Sequence, residues 1–358
     1  MLLRGIIIKC SSHIKKERSI GSIYYLLIGK RSIQTVQDAH LYELDRFYGI
    51  FKKMNKLTFD NTINELVEQR LLTRPSEPSL TSKPTLKGIN WLNKNEYGFP
   101  FTYFNGMTYN EIDIIFLERL LLLIQVLTNS KMDHTSYIPV IDRPSTARWI
   151  KSFYKREKLQ ISTRLEEIYH ELSLLLKEFS DAEAEMFVDR LTGFQHYGMS
   201  IQQLANQYKL SMNHVHILLI GMIHRMLERI QRNSDQFPLL SQIIEDQQAT
   251  GFITHSAKQT YELINQGYSI NKIAQLRRLK LNTIYDHIVE ISLYDSNFPI
   301  DQYVSEMHQR EILQTAQQMN TSKLKEIKDA VSEEISYFQI RLALISSKKP
   351  LMKRGGTN

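Results

Sequence analysis

Gly198-Met199-Ser200-Ile201-Gln202-Gln203-Leu204-Ala205 recurs without a gap, 69 residues later, as Gly267-Tyr268-Ser269-Ile270-Asn271-Lys272-Ile273-Ala274. The register holds onward, from Leu210-Ser211-Met212-Asn213-His214-Val215 to Leu279-Lys280-Leu281-Asn282-Thr283-Ile284. Gly, Ser, Ile, Ala, Leu and Asn are identical, and the pairs 204/273, 212/281, 215/284 and 219/288 stay apolar. Ser200 and Ser269 suit the cap of a first helix. Ala205 and Ala274 are small where two helices cross, and Leu210 and Leu279 anchor the turn. Val215 and Ile284 then face the core from a second helix. The pattern predicts two helix-turn-helix units, a motif whose second helix offers its N-terminal residues to DNA.

The two copies differ in charge. Residues 256–287 hold Lys258, Lys272, Arg277, Arg278 and Lys280 against Glu262 and Asp286, a net of +3; residues 187–218 reach only +1. The first copy's second helix continues as Val215, Ile217, Leu218, Leu219, Ile220, Met222, Ile223. A helix apolar nearly all round is buried, whereas a groove-reading helix keeps a polar face. The first copy is therefore expected to be scaffold or interface. The second is expected to touch DNA through Lys272, Arg277, Arg278 and Lys280, with Asn282, Thr283 and Tyr285 near bases or sugars. Two structural alternatives stay open: Tyr285 as a core residue and Arg278 paired with an acid.

A second basic stretch, residues 131–164, carries eight bases against three acids, with Trp149, Phe153 and Tyr154 interleaved. Arg148, Lys151, Lys155 and Arg156 are its candidate DNA contacts. Cations among exposed rings suit a nucleic-acid backbone; the equally weighted alternative is a solvated helix face with its rings turned inward. The aromatic-rich segment 89–107 reads as a loop whose rings belong to a core or a domain interface more readily than to a base-stacking surface. Thr108-x-x-Glu111, Thr163-x-x-Glu166 and Ser180-x-x-Glu183 read as capping boxes opening helices. Residues 17–88 read as three helices and a hairpin, with a returning strand at Thr85–Gly88. These are the parts of a winged helix, or of a small helical domain with a loose loop.

Composition narrows the class further. Fourteen glycines in 358 residues, against a usual ~7%, disfavour a doubly wound nucleotide enzyme, which needs tight phosphate-binding turns. Gly29-Lys30-Arg31-Ser32 lacks both the earlier Gly and the Ser/Thr of a phosphate loop. His214 and His216 stand two apart, so on a helix they diverge too far to hold one metal; a solvated or DNA-facing pair is the expected reading. No cofactor, metal site or catalytic signature is expected. The single Cys10 leaves no intramolecular disulfide. Arg4 and Lys9 break the apolar N-terminus, so no signal peptide is expected. The most apolar stretch, Ile112 to Leu127, holds Asp113, Glu118, Arg119 and Gln125 and falls short of about 18 residues, so a buried helix is expected there and no membrane span. The net charge of +7 points to an anionic partner.

The expected organisation is mainly α. It has an N-terminal unit at 1–107, a helical unit with a degenerate helix-turn-helix at 108–240, a working helix-turn-helix domain at 250–345 and a basic tail at 346–358.

Residues from about Thr254 to Leu344 resemble the helix-turn-helix domain at the C-terminus of many bacterial RecQ-type helicases. The resemblance rests on Thr254-His255 to Thr260, Gly267-Tyr268-Ser269-Ile270 with Ile273-Ala274, and Thr283-Ile284-Tyr285-Asp286-His287-Ile288. It continues in Leu324-Lys325-Glu326-Ile327-Lys328, Ile335-Ser336-Tyr337 and Ile340-Arg341. As a whole the chain resembles the YpbB-type family of low-GC Gram-positive bacteria, in which this domain is carried on a stand-alone chain typically encoded beside a RecQ-type helicase. The resemblance implies a cytoplasmic, nucleoid-associated DNA-binding partner of such a helicase in repair or recombination. Helicase motifs are absent, so it implies no ATPase activity. A sequence-specific transcription regulator is the alternative, and a homodimer is an assembly open to either.

Overall fold

The computed structural model describes residues 1–14, 17–75, 77, 79–248, 253–295 and 297–347. Its N-terminal half runs α1 (Leu2–Ile14), α2 (Gly21–Leu27), α3 (Ile33–Leu41), α4 (Lys56–Glu68), α5 (Leu86–Glu96), α6 (Gly106–Tyr109), α7 (Ile112–Lys131), α8 (Pro144–Glu157) and α9 (Ile161–Leu176). There follow α10 (Asp181–Val188), α11 (Ile201–Gln207), α12 (Met212–Arg232), α13 (Pro238–Gln248), α14 (His255–Asn265), α15 (Ile270–Arg277), α16 (Leu281–Tyr294), α17 (Glu306–Gln318), α18 (Leu324–Ala330) and α19 (Tyr337–Ser347). No β-strand occurs among the described residues; strand-like pairing is confined to the bridges Leu72–Pro84 and Gly193–His196.

Two apolar clusters organise these helices. The first draws on residues from Leu2 to Ile244, across residues 107 and 108, and the second on Leu41 and on residues from Ala257 to Ile345. Two helices apolar on most faces, α1 and α7, lie at the centre of the first. In α1, Leu2, Ile6, Ile7, Ile8 and Cys10 are all fully buried. Arg4 and Lys9 reach its rim and pair with Glu65 at 2.5 Å and Glu96 at 2.8 Å. Helix α7 carries its polar residues inward, where each has a partner, as burial of a charge requires. Arg119 grips Asp246 with two bonds of 2.6 and 2.8 Å, Glu118 meets Arg143 at 3.0 Å, and Asp113 meets Lys52 at 3.2 Å. Those charges place α7 inside a protein rather than in lipid. No described helix is long and apolar enough to cross a membrane.

Several local expectations are corrected. The returning strand at Thr85–Gly88 is instead the start of α5, with the Thr85 hydroxyl accepting from the Gly88 N–H; the hairpin is reduced to one bridge and its flanking bonds. That helix also takes in the first part of the expected aromatic loop. Most rings of 89–107 do belong to the core, Phe101 and Phe104 buried and edge-on or tilted around Phe47, whereas Tyr97 stands fully exposed. Of the three expected capping boxes, only Ser180–Glu183 forms. Thr108 lies within α6, and α7 starts after Glu111 with no side-chain cap. Thr163 lies inside α9. A cap needs a non-helical residue at the helix entrance, and neither threonine occupies one.

Both repeat copies fold as the alignment requires. Ser200 accepts from the Gln203 N–H and Ser269 from the Lys272 N–H. The turns close on matched bonds, Leu210 N–H to Ala205 O at 2.9 Å and Leu279 N–H to Ala274 O at 3.0 Å. At the same place in each turn a cation adopts left-handed backbone, Lys209 at φ 53° and Arg278 at φ 52°. The paired glycines serve different needs. Gly267, just past α14, has φ +83° with open space around it, while a Cβ on Gly198 would lie 2.3 Å from the Arg190 carbonyl oxygen.

The second unit is pinned by Arg277. Its guanidinium donates to the Ser256 carbonyl at 2.6 Å, to the Gln259 amide oxygen at 2.9 Å, to the Ser256 hydroxyl at 3.0 Å and to Thr260 Oγ1. Thr260 in turn bonds His287 Nδ1 at 2.8 Å, tying α14, α15 and α16 together. Arg277, expected to reach DNA, is thus committed inside its own unit. Helix α3 forms the seam between units. Its Leu41 is buried in the second cluster while Val36 packs on the first, and its Gln37 accepts from Arg341 at 2.9 Å.

Two outcomes follow for stability. Alanine at Gly267 meets only backbone strain, about 1–2 kcal/mol, whereas at Gly198 it must push two backbone segments apart. Denaturant titration is therefore expected to show the larger loss for Gly198→Ala. Burial, aided by the nearby Arg277 charge, holds His287 below the ordinary histidine value. The unfolded chain then takes up the proton more readily than the folded one. The corresponding stability is present above about pH 6.5 and is lost as pH falls below it. His287→Asn, which keeps an acceptor without titrating, should flatten the fall in urea midpoint between about pH 7.5 and 5.5; an unchanged pH slope would contradict this.

Candidate nucleic-acid interface

The second copy presents its turn and the start of α16 to solvent. Arg278, Lys280, Leu281 and Asn282 are exposed, as is Lys272 on the first turn of α15. Lys272, Arg278 and Lys280 have no ion-pair partner among the described residues. The pairing of Arg278 with an acid, open from sequence, is therefore not formed. At the N-cap of α16 stands Lys280, and no side chain caps the helix. The equivalent residue of the first copy, Ser211, does cap α12 by accepting from the His214 N–H. An uncapped helix start carries partial positive charge and free N–H groups, which suit a phosphate. Lys280 at the cap and Arg278 two residues before it reinforce that field.

One other expected contact lies elsewhere. Tyr285 stacks on Phe338 of α19, ring centroids 4.3 Å apart and nearly parallel, so it stiffens the back of α16 instead of meeting a base. Thr283 is half-buried on the first turn. One turn further, Asp286 pairs with Arg341 at 2.7 Å. The rear of α16 is thus fixed against α19, and only its first turn remains outside.

The first copy has no such surface. Helix α12 buries Val215, Ile217, Leu218, Met222, Ile223, Met226 and Ile230 along its whole length. His214 and His216, expected to be solvated or DNA-facing, are packed inward. His216 lies 5.0 Å from the Phe51 ring, and burial lowers both pKa values.

On α8, Arg148, Lys151, Lys155 and Arg156 are exposed and unpaired among the described residues. Trp149 and Phe153 turn away from them, stacked on each other at 5.5 Å, with the Arg119 guanidinium 4.9 Å from the Trp149 ring. Cations and rings have therefore separated, apart from half-buried Tyr154 beside Lys151. Lys209, the turn cation of the first copy, was passed over in the sequence, although its register with Arg278 marks it. Lys348, Lys349, Lys353 and Arg354 of the expected basic tail lie outside the described residues. Among the described residues no group of three or more His, Cys, Asp or Glu could hold a metal ion.

Comparison with known proteins agrees with this geometry. A family described as a helix-turn-helix domain matches residues 256–344, the unit built on the second core. Protein YpbB of Bacillus subtilis (strain 168) is 33% identical over 341 residues, which cover 95% of this chain and 96% of the relative. No solved structure matches. Similarity of that extent, carried through both units and not confined to the motif, shows that the chain belongs to the family of Protein YpbB.

Proposed function

We propose that this chain is a non-catalytic DNA-binding protein that grips duplex DNA with its second helix-turn-helix and works beside a RecQ-type helicase in DNA repair or recombination. The observation that carries the DNA-binding reading is the uncapped start of α16 with the exposed cations Arg278 and Lys280 beside it, Lys272 being exposed on the first turn of α15. In this reading the cations neutralise phosphates, the first-turn N–H groups meet a phosphate, and Asn282 and Thr283 reach the groove edge. Arg277 and Tyr285 hold the reading head rigid from behind. What supports the helicase partnership is the resemblance of residues 254–344 to the domain that such helicases carry on their own chains. A stand-alone copy can deliver the same DNA contact in trans, in the cytoplasm at the nucleoid.

Arg278 offers a clean test because its backbone is left-handed. Arg278→Gly removes the charge and relieves the backbone at once. Duplex affinity should fall while the thermal midpoint stays level or rises. For Arg278→Gly/Lys280→Ala, the slope of log K against log salt should become shallower by about 2. Arg277→Ala should instead lower the midpoint. An unchanged salt slope in the double variant would remove this face as the DNA site. For the partnership, the purified chain should co-purify with the RecQ-type helicase of its own organism and alter its unwinding of forked DNA; neither effect occurring would overturn that part. A single operator bound with a large specificity ratio would favour the regulator reading instead.

A further inference from the structure

Beyond the helix-turn-helix, the N-terminal unit carries a groove of about 430 Å³ between α7, α8 and residues 132–143. Leu122 and Val126 of α7 lie at its floor, Tyr137 and Pro139 line one side, and Lys151 and Tyr154 of α8 line the other. The wall opposite α8 is a built one. Gln125, itself buried, donates its amide to the Ile138 carbonyl at 3.0 Å and accepts from the Val140 N–H at 2.8 Å. His134 stacks on Tyr137 at 6.5 Å.

The groove side of α8 repeats at helical spacing, Ala147, Ile150, Lys151 and Tyr154. Arg148 and Lys155 lie one row round from it. They extend along roughly 10 Å of helix at about 1.5 Å per residue. Glu157, the sole acid of α8, is taken by Arg164 at 2.9 Å. Asp142 is the one acid in the lining. The surface is therefore an apolar cleft with two tyrosine walls and a free cationic rim.

We infer that this groove is a binding site for single-stranded DNA, in which bases enter between Tyr137 and Tyr154 while Arg148, Lys151 and Lys155 neutralise the backbone. Rings plus cations are what a single strand needs, because its bases present free faces. A duplex keeps its base faces stacked inside and could use only the rim. An acidic peptide would satisfy the cations and leave the tyrosine walls without a matching partner. A duplex grip on the second unit and a single-strand grip on the first would together fit a junction between the two forms of DNA.

The test uses the full chain and fluorescein-labelled oligo(dT), followed by anisotropy, with a duplex of the same length measured alongside. Tyr154→Leu and Tyr137→Leu keep apolar bulk and remove the ring. Each should weaken oligo(dT) binding about fivefold or more and leave the duplex isotherm unchanged. Lys151→Ala/Lys155→Ala, both exposed, should weaken oligo(dT) and flatten its salt dependence even if a tyrosine variant fails to fold. Arg278→Gly/Lys280→Ala should spare oligo(dT), which separates this site from the helix-turn-helix. The inference is overturned if folded ring variants bind oligo(dT) like the wild type. It is equally overturned if polyglutamate of matched charge competes as well as oligo(dT), or if the lysine variant loses duplex and single-strand binding in parallel.

Discussion

The second helix of a helix-turn-helix cannot stand alone; it must bury one face, and whatever covers its remaining faces decides what the unit can do. In the first copy that helix is extended to 21 residues and enclosed along its length by α1, α7, α11 and the aromatic segment before α6. In the second it spans 14 residues, with α14, α15, α19 and α3 gathered around its middle and end. Identical turn geometry thus yields a beam in one place and a protruding tip in the other. The change of Ser211 to Lys280 at the matched cap follows the same division. A buried beam needs its first-turn N–H groups satisfied from within, while a tip offered to an anion does not.

That tip is aimed by the whole molecule. Arg341 holds Asp286 on α16 and also Gln37 on α3, a helix that packs on both cores. Glu17 accepts from Tyr42 at 2.9 Å and from the Ser322 N–H at 3.0 Å, bridging the same seam beside α3. Tyr294 at the far end of α16 reaches Met107. The far end of α16 is thereby referenced to the first unit through Tyr294, and its middle through Arg341 and α3. A pair of domains on a loose tether would lack those links.

What the sequence disclosed depended on how local the cause was. The repeat was legible because a tight turn between two crossing helices restricts residue type at fixed offsets. The burial of α12 was legible because Val215, Ile217, Leu218, Leu219, Ile220, Met222 and Ile223 make a nearly unbroken apolar run. Arg277 was not, since its acceptors are a carbonyl, two hydroxyls and an amide some twenty residues back, none of which enters a count of charges. Tyr285 was left open from sequence for a similar reason, because Phe338 comes from a helix far along the chain. The threonines of the two failed capping boxes share their spacing with Ser180. What separates them is whether the backbone has already turned helical, a property of tertiary packing. Arg4 and Lys9 interrupt α1 in sequence and yet sit at its rim, each beside a glutamate from another helix.

The left-handed cation in each turn shows how these levels bear on one another. Glycine would adopt that backbone without strain, yet Lys209 and Arg278 stand there in both copies. Strain of this kind persists where the surroundings over-determine it and commonly marks a working position. In the second copy the position adjoins an uncapped helix start and the free cation Lys280, so a charge there adds directly to a field already directed outward. In the first copy the same charge adjoins a helix start closed by Ser211. The cation survives there without the field that would make it useful. A basic residue in the turn is therefore not sufficient to define a DNA-reading surface. The deciding feature is the first turn of the helix behind it, left open in one copy and capped in the other.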